Sequence, residues 1–226
     1  MAYKPRRFNN EISRYRKKIL PMIGVLDYGL GNVQAFLTNY KRLGINALRL
    51  RDKDSINKVD KLILPGVGSF DHAVTKLNES GLRDAIEHAV ISRKVPILGI
   101  CVGMQILSHE SEEGKMSGLG WIDGKVKYLR SSNNSSLILP HMGWNNINVV
   151  KENILLGDEL DNSSFYFLHS YFFECANEEN IIAKTEYGKD FASIICDKNI
   201  YGIQCHPEKS HLSGYTLLKN FAELEC

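Results

Sequence analysis

The chain has 226 residues, of which 43% are hydrophobic and 24% are charged, and its formal net charge is +2 at pH 7. This composition is typical of a globular protein and argues against a membrane-spanning class, because no stretch approaches the roughly 18 apolar residues of a membrane span. Five cysteines without a CxxC pair argue against a zinc ribbon or a disulfide framework. We therefore expect a protein of the reducing cytoplasm that carries no metal site.

The first 21 residues differ in charge from the rest of the chain. Seven basic residues are opposed there by Glu11 alone, so this segment carries +6 and leaves −4 on residues 22–226. A basic arm for nucleic acid or an acidic partner is one interpretation, and a transit peptide is another. We adopt a third, a leader that is disordered or precedes the true start at Met22, and expect a single domain over residues 22–226.

From residue 22 onward, strand and helix patterns alternate, as is typical of a largely parallel sheet flanked by helices. Buried strands are predicted at 22–27, 46–50 and 61–64. Apolar residues at helical spacing predict a helix that ends at Gly44 and more helix over 71–93.

A glycine-rich loop, Pro65-Gly-Val-Gly-Ser-Phe70, follows the third predicted strand. Glycines allow the backbone to turn its N–H groups into a cleft. Loops that follow successive strands of such a sheet meet at one edge. The pattern therefore predicts an oxyanion site built from the N–H groups of Gly66, Val67 and Gly68, with a plain turn as the alternative.

The next strand runs into Gly99-Ile-Cys-Val-Gly103, which is the cysteine form of a nucleophile elbow. Gly99 and Gly103 leave room for a tight turn. Cys101 would then lie beside the start of a helix, predicted over 104–107, whose dipole favours the thiolate. We predict that Cys101 is the nucleophile and that the Val102 N–H is another oxyanion donor. The alternative is a buried structural cysteine.

Beyond Trp121 the pattern changes to short strands with few helices. We expect these strands to extend the same sheet in a mixed or antiparallel manner, because no linker separates a second domain. The predicted strands are 122–129, 146–150, 165–168, 172–175, 181–187, 191–196 and 201–204.

The last of these strands leads into Cys205-His-Pro-Glu208. Proline takes the chain out of the sheet and brings a carboxylate within reach of the imidazole. Cys101, His206 and Glu208 are thus predicted to form a catalytic triad. Cys205 alternates to the opposite face and is expected to fill the core.

In combination, Gly99-Ile-Cys-Val-Gly-Met-Gln105 and His206-Pro-Glu208 resemble the class I glutamine amidotransferases, whose glutaminase domains hydrolyse glutamine and pass ammonia to a synthase. Other segments resemble the glutaminase subunits of imidazole glycerol phosphate synthases, of histidine biosynthesis. These are Asp27-Tyr-Gly-Leu-Gly-Asn32, Pro65-Gly-Val-Gly-Ser-Phe70, Pro140-His-Met-Gly-Trp-Asn145, Phe167-Leu-His-Ser-Tyr171 and His206-Pro-Glu-Lys-Ser210. The resemblance covers residues 22–223. It departs at Val102, where leucine is common, and at Cys205, where an aromatic is common.

The resemblance implies an α/β fold with a mostly parallel central sheet, flanking helices and a mixed or antiparallel C-terminal extension. It also implies that Cys101 attacks the glutamine carboxamide and that His206 transfers the proton. Gln105 and Glu113 match positions that hold the amino-acid end of the substrate. The segment that lines the pocket and its interface is His169, Ser170 and Tyr171.

The implied partner is a separate (β/α)8-barrel cyclase that takes up the ammonia. The positions that match its docking surface are Pro140, His141, Met142, Gly143, Trp144 and Asn145. We expect no cofactor, no nucleic acid and no membrane. Two alternatives stay open: a paralogue that supplies ammonia to a surface-polysaccharide sugar amidotransferase and, outside the class, a cysteine hydrolase.

Overall fold

The computed structural model describes residues 21–130 and 137–225. All but the last residue of the predicted basic leader lie outside the described residues. The described part is built on one eight-stranded sheet. From edge to edge its strands are β2 (Ala47–Leu50), β1 (Ile23–Leu26), β3 (Lys61–Gly66), β4 (Ile97–Cys101), β13 (Ile200–Ile203), β12 (Asp190–Asp197), β11 (Ile181–Glu186) and β8 (Asn148–Val149).

The first five strands of this order run parallel, and the last three are antiparallel. Strands β1, β3, β4 and β13 are buried along their whole length. Continuous apolar runs of this kind are expected where a parallel sheet is covered on both faces. The predicted parallel sheet with a mixed extension is therefore confirmed for these eight strands.

Three of the strand predictions, 122–129, 165–168 and 172–175, are wrong in one respect, because those strands do not extend the main sheet. β5 (Glu110–Ser111), β6 (Gly124–Tyr128) and β10 (Tyr171–Cys175) form a three-stranded sheet, and β7 (His141–Asn146) pairs with β9 (Ser164–His169) in a two-stranded one. Side chains on β7 alternate between buried or half-buried and exposed positions. A strand with one solvated face cannot occupy an interior position that helices cover.

The helices are α1 (Val33–Arg42), α2 (Lys53–Ile56), α3 (Phe70–Glu79), α4 (Arg83–Glu87), α5 (Val102–Gln105) and α6 (His211–Glu223). The predicted helix over 71–93 is divided at Gly81, which has a φ of +70°, and α4 continues as a π-helical turn over His88–Ser92. Two helices, α2 and α6, are absent from the prediction. Within the described ranges, no helix has the length and apolarity that a bilayer crossing requires.

Glycines bring the elbow into direct contact with the neighbouring strand. A Cβ on Gly99 would lie 2.6 Å from the Gly103 carbonyl oxygen, and one on Gly103 would overlap the carbonyl oxygen of Leu64. Gly66 is paired with Cys101 in the sheet register. The carboxyl ends of β3, β4 and β13 therefore meet at one edge, where their loops form a cleft.

Candidate active site

Cys101 occupies a sharp turn between the last residue of β4 and the start of α5. Its φ is +55° and its ψ is −112°, a conformation that few residues other than glycine adopt. Holding a side chain in such a region costs on the order of 1–3 kcal/mol. The predicted helix begins two residues earlier than expected and is a single turn, so the helix dipole contributes less than the sequence pattern suggests.

His206 and Glu208 make the predicted contact. Their side chains are each 4% exposed, and His206 Nδ1 lies 2.9 Å from Glu208 Oε1. Pro207 begins a one-turn 3₁₀ helix that directs the carboxylate back toward the ring. The backbone is fixed on both sides, because the His206 N–H donates to the Tyr166 carbonyl (2.8 Å) and the Ser210 hydroxyl donates to the His206 carbonyl (2.6 Å).

Opposing effects act on the charge of His206. Burial by itself lowers the pKa of His206, but hydrogen bonds to Cys101 and Glu208 outweigh this effect and raise the pKa to about 10. The imidazolium is thus the favoured form at neutral pH. The second oxygen of Glu208 is buried and has no hydrogen-bond partner among the described residues. The carboxylate charge is therefore directed mainly at His206.

A cleft of about 320 Å³ opens beside Cys101. This volume falls within the range of small-molecule sites. Most of the predicted site residues line it. The lining residues are Val67, Gly68, Cys101, Val102, Gln105, Glu113, Pro140, Leu168, His169, Ser170, Tyr171, His206 and Lys209. Gly66 and Glu208 do not line the cleft, because Gly66 packs beneath the elbow and Glu208 contacts the far nitrogen of His206.

The predicted oxyanion loop is anchored at both ends. On the β3 side, the buried Tyr28 hydroxyl donates to the Pro65 carbonyl at 2.6 Å. On the α3 side, the Phe70 N–H donates to Glu113 Oε2 at 2.8 Å. Between these anchors, Val67 is 42% exposed and Gly68 has a φ of +91°. The residues that face the cleft are thus the least constrained part of the loop.

Sequence reasoning overlooked Gln204, which touches Cys101. Its Nε2 atom lies 3.7 Å from Cys101 Sγ, and its Oε1 atom accepts a hydrogen bond from Gln105 Nε2 at 3.1 Å. Gln105 also donates to the Tyr171 carbonyl at 2.9 Å. The pattern that could have indicated Gln204 is its period-two spacing from His206, which puts both on one face of an extended chain.

His141 departs from its predicted place on the docking surface, because its side chain is only 3% exposed. The ring stacks between Phe167 and Tyr187. Its Nδ1 atom lies 3.0 Å from His169 Nε2, and its Nε2 atom lies 3.3 Å from the side-chain nitrogen of Asn145. The residue alternates inward on β7, so His141 supports the site from beneath the surface.

Burial lowers the pKa of His141 to about 4 and that of His169 to about 3. Both rings are therefore neutral at pH 7. His169 Nδ1 lies 2.9 Å from the Tyr171 carbonyl, which can only accept, so this nitrogen carries the proton. His169 Nε2 then accepts from His141 Nδ1–H, and the contacts assign one tautomer to each ring.

The outward positions of β7 and β9 form an exposed apolar face beside the cleft. Met142 is 65% exposed, Trp144 is 50% exposed, and Leu168 is 36% exposed. Met142 and Leu168 are cross-strand partners, and Leu168 also lines the cleft. The Trp144 ring is stacked on His211, with centroids 5.2 Å apart. We call Met142, Trp144 and Leu168 the docking face.

Residues 24–224 match the family described as glutamine amidotransferase class-I. The chain belongs to this family, and the match spans the elbow, the histidine–glutamate pair and the cleft between them.

Curated relatives define the group more narrowly. The chain is 50% identical over 205 residues to the imidazole glycerol phosphate synthase subunit HisH of Bdellovibrio bacteriovorus, an alignment that covers 90% of this chain and 100% of the relative. It is 49% identical over 204 residues to HisH of Leptospira borgpetersenii, with the same coverage. It is 41% identical over 204 residues to HisH 2 of Pseudomonas aeruginosa, again with 90% and 100% coverage. Within the amidotransferase family, the chain thus groups with these HisH enzyme subunits.

Solved structures confirm the predicted fold class. A crystal structure of a glutamine amidotransferase matches with a TM-score of 0.68 at 21% identity, covering 89% of this chain and 97% of the other. PurLQS from Thermotoga maritima matches with a TM-score of 0.63 at 17% identity, covering 90% and 98%. At these identities the similarity concerns the fold alone.

Proposed function

We propose that residues 22–226 form a single glutaminase domain that hydrolyses L-glutamine to glutamate and ammonia through Cys101, His206 and Glu208. The ammonia passes to a (β/α)8-barrel cyclase that makes imidazole glycerol phosphate in histidine biosynthesis. The observation that carries this proposal is the meeting of a strained nucleophile and a buried histidine–carboxylate pair at one cleft. The names of the relatives support the pathway.

The reaction begins with His206 protonated and hydrogen-bonded to Cys101. The Cys101 thiolate attacks the carboxamide carbon of glutamine, and negative charge develops on the amide oxygen. N–H groups from Val67, Gly68 and Val102 are the donors for that oxygen. When the tetrahedral intermediate collapses, the C–N bond breaks and the His206 imidazolium gives its proton to the leaving nitrogen, so that ammonia and a thioester form.

A water molecule then completes the cycle. The imidazole of His206, now neutral, takes a proton from water as the oxygen attacks the thioester carbon. The C–S bond breaks, glutamate leaves, and the thiolate and imidazolium are restored. Glu208 keeps the ring oriented through both steps, because its Oε1 atom holds Nδ1 at 2.9 Å.

The other side of the cleft binds the amino-acid end of glutamine. Glu113 offers a carboxylate for the α-ammonium group of glutamine, and its hydrogen bond from the Phe70 N–H ties that carboxylate to the oxyanion loop. Gln105 lies deeper in the cleft, and His169, Ser170 and Tyr171 form its facing wall.

The docking face is the surface on which the cyclase binds. Exposed Trp and Met side chains at the mouth of a cleft are typical of protein interfaces. Ammonia that escaped into water at neutral pH would be protonated and lost as a nucleophile. A partner seated over Pro140 and Leu168, which line the cleft, would receive the ammonia directly.

Docking also controls turnover. We infer that the Val67 N–H turns toward the substrate oxygen only when the cyclase is bound, so that the free chain is a poor glutaminase. The two anchored ends of the loop and the exposed Val67 between them support this inference.

The test is glutamate release from glutamine by the purified chain, with and without a barrel cyclase. We expect slow release alone and a large stimulation by the cyclase. Cys101→Ala should abolish release, whereas Cys196→Ala, outside the cleft, should not. Stimulation by a sugar amidotransferase instead of the cyclase would contradict the histidine pathway. Full turnover by the free chain would contradict the control by docking, and no release under any condition would contradict the glutaminase.

A further inference from the structure

A buried amide side chain lies against the nucleophile without a role in the mechanism above. Gln204 follows β13 and its side chain is fully buried. Its Nε2 atom lies 3.7 Å from Cys101 Sγ. A buried amide is costly unless its polar atoms find partners, so its placement against sulfur calls for a physical reason.

The surrounding contacts determine which end of the Gln204 amide faces the sulfur. The Tyr171 carbonyl can only accept, so Gln105 must present its nitrogen to Tyr171, at 2.9 Å. The second N–H of the same nitrogen meets Gln204 Oε1 at 3.1 Å. Gln204 is left with its NH₂ group toward Cys101. The orientation of both amides thus follows from a backbone carbonyl, which cannot be reversed.

The other groups around the sulfur explain why a donor is needed there. The Leu168 carbonyl oxygen lies 3.9 Å from Sγ, where it can accept from a thiol but repels a thiolate. The titratable groups whose charges act on Cys101 are His206, Cys205 and Tyr28. Of these, His206 is the cationic one. An N–H donor from Gln204 therefore offsets the carbonyl and favours the charged sulfur.

We propose that Gln204 is a positioning residue for the nucleophile, whose side-chain amide donates to Cys101 Sγ and holds the thiolate toward the cleft. Gln105 acts one step further back, because it keeps the Gln204 amide in the donating orientation. The proposal rests on the proposed function for the identity of the reaction. The contact itself concerns only the sulfur and can be tested without glutamine or cyclase.

The test is the rate at which iodoacetamide alkylates Cys101, followed by mass spectrometry of its peptide from pH 5 to 10. Gln204→Met keeps similar length and volume but removes the donor. We expect the pH midpoint of alkylation to rise by about one unit and the rate below it to fall about tenfold, as for loss of a hydrogen bond to a charged group. Gln105→Met should shift the midpoint in the same direction by less. Gln34→Met, on the surface of α1, should leave it unchanged.

A second variant distinguishes loss of the hydrogen-bond donor from misfolding. Gln204→Glu keeps the shape of the side chain, and its carboxylate replaces a donor by an acceptor, so alkylation near neutral pH should be slower than in Gln204→Met. An unchanged midpoint in folded Gln204→Met would overturn the proposal, whatever Gln204→Glu does and even if thermal stability fell, because packing alone would then explain Gln204. A raised midpoint supports the proposal whether or not the chain releases glutamate, so failure of the glutaminase assignment is detected separately.

Discussion

At the residue scale, the defining feature of the site is that His206 is held as a cation between two acidic partners. Its pKa is raised to about 10 although burial alone would lower it. The imidazolium is thus present before substrate arrives, so under the proposed mechanism the first turnover begins with the proton already in place for the leaving nitrogen.

Replacement of Glu208 by glutamine tests the orienting role. Glu208→Gln keeps the size of the side chain but removes the negative charge that holds the imidazolium and its orientation. We expect kcat for glutamate release to fall about 100-fold or more, with a small change in KM. Steady-state kinetics in the presence of the cyclase measure this effect. Glu179→Gln, on the surface, serves as the matched control, and an unaltered kcat in Glu208→Gln would remove Glu208 from the triad.

The neutral histidine pair predicts acid sensitivity. The pKa values of His141 and His169 are lowered to about 4 and about 3. The unfolded chain binds protons below about pH 6.5 and the folded chain does not, so this stability is complete above pH 6.5 and is lost as the pH falls. Between pH 7 and pH 5 each histidine should cost about 2 kcal/mol of unfolding free energy.

Urea unfolding at the two pH values measures this loss. His141→Gln should reduce the difference between pH 7 and pH 5 by the contribution of one histidine. His88→Gln, at an exposed position, should leave the difference as it is. Equal losses in all three proteins would show that the acid sensitivity arises elsewhere.

Single residues could be predicted where a motif is local in sequence. Cys101 lies between two glycines, and His206 and Glu208 are two residues apart, so short patterns suffice. Gln204 and Tyr28 could not be assigned in this way. Their contacts, with Cys101 and Pro65, join separate strands and depend on the sheet order. His141 was predicted to be at the surface because the family resemblance assigns the whole segment 140–145 to the docking surface, whereas the alternation of β7 turns it inward.

At the scale of elements, the packing of α5 on β3 holds the elbow in place. Gly103→Ala would put a methyl group into the Leu64 carbonyl, where only backbone surrounds it. We expect this substitution to lower the unfolding free energy by about 3 kcal/mol or more. Chemical denaturation provides the measurement.

The matched control for this prediction is another glycine at a turn. Gly81 has a φ of +70° and open space around its Cα, so Gly81→Ala should cost only about 1 kcal/mol of backbone strain. Comparable losses of unfolding free energy in the two variants would mean that contact with β3 is not the reason why position 103 excludes a side chain.

Strands whose residues are continuously buried could be predicted best, because their sequences are continuous apolar runs. Four of the five parallel strands are buried along their whole length, and these were predicted within a few residues of their observed ends. β7 was predicted only at its end, because its glycine and two asparagines disfavour strand. α6 has the spacing of Leu217, Leu218 and Phe221, which a search for helical periodicity would detect.

At the scale of the whole molecule, we expect side chains of the docking face to contribute to binding of the cyclase but little to the stability of the chain. Trp144 is half exposed, so Trp144→Ala should change the unfolding free energy little. It should weaken the complex with the cyclase by about 2 kcal/mol, or roughly 30-fold in Kd, as expected for an aromatic anchor. Titration of glutaminase stimulation against cyclase concentration measures this affinity.

An exposed side chain elsewhere provides the control. Ile154 is 66% exposed and lies outside the docking face, so Ile154→Ala should leave the affinity for the cyclase unchanged. If Trp144→Ala bound the cyclase as tightly as the parent chain, the docking face would have to be placed on another surface.

The fold class could be predicted from the sequence, but the division of the strands among separate sheets could not. Alternating strands and helices indicate a parallel sheet, and this expectation holds for the strands that lead to Cys101 and His206. The placement of β7 and β9 in a sheet of their own could not be predicted, because the pairing of short strands depends on contacts distant in sequence.

This separation of sheets has a consequence for how such proteins diversify. Cys101 and His206 lie at the ends of strands in the eight-stranded sheet, whereas Met142, Trp144 and Leu168 point outward from a two-stranded ribbon. Under the proposed function, substitutions at those outward positions would change which synthase is recognised without displacing Cys101. Chemistry and partner choice can therefore evolve on different parts of the same chain.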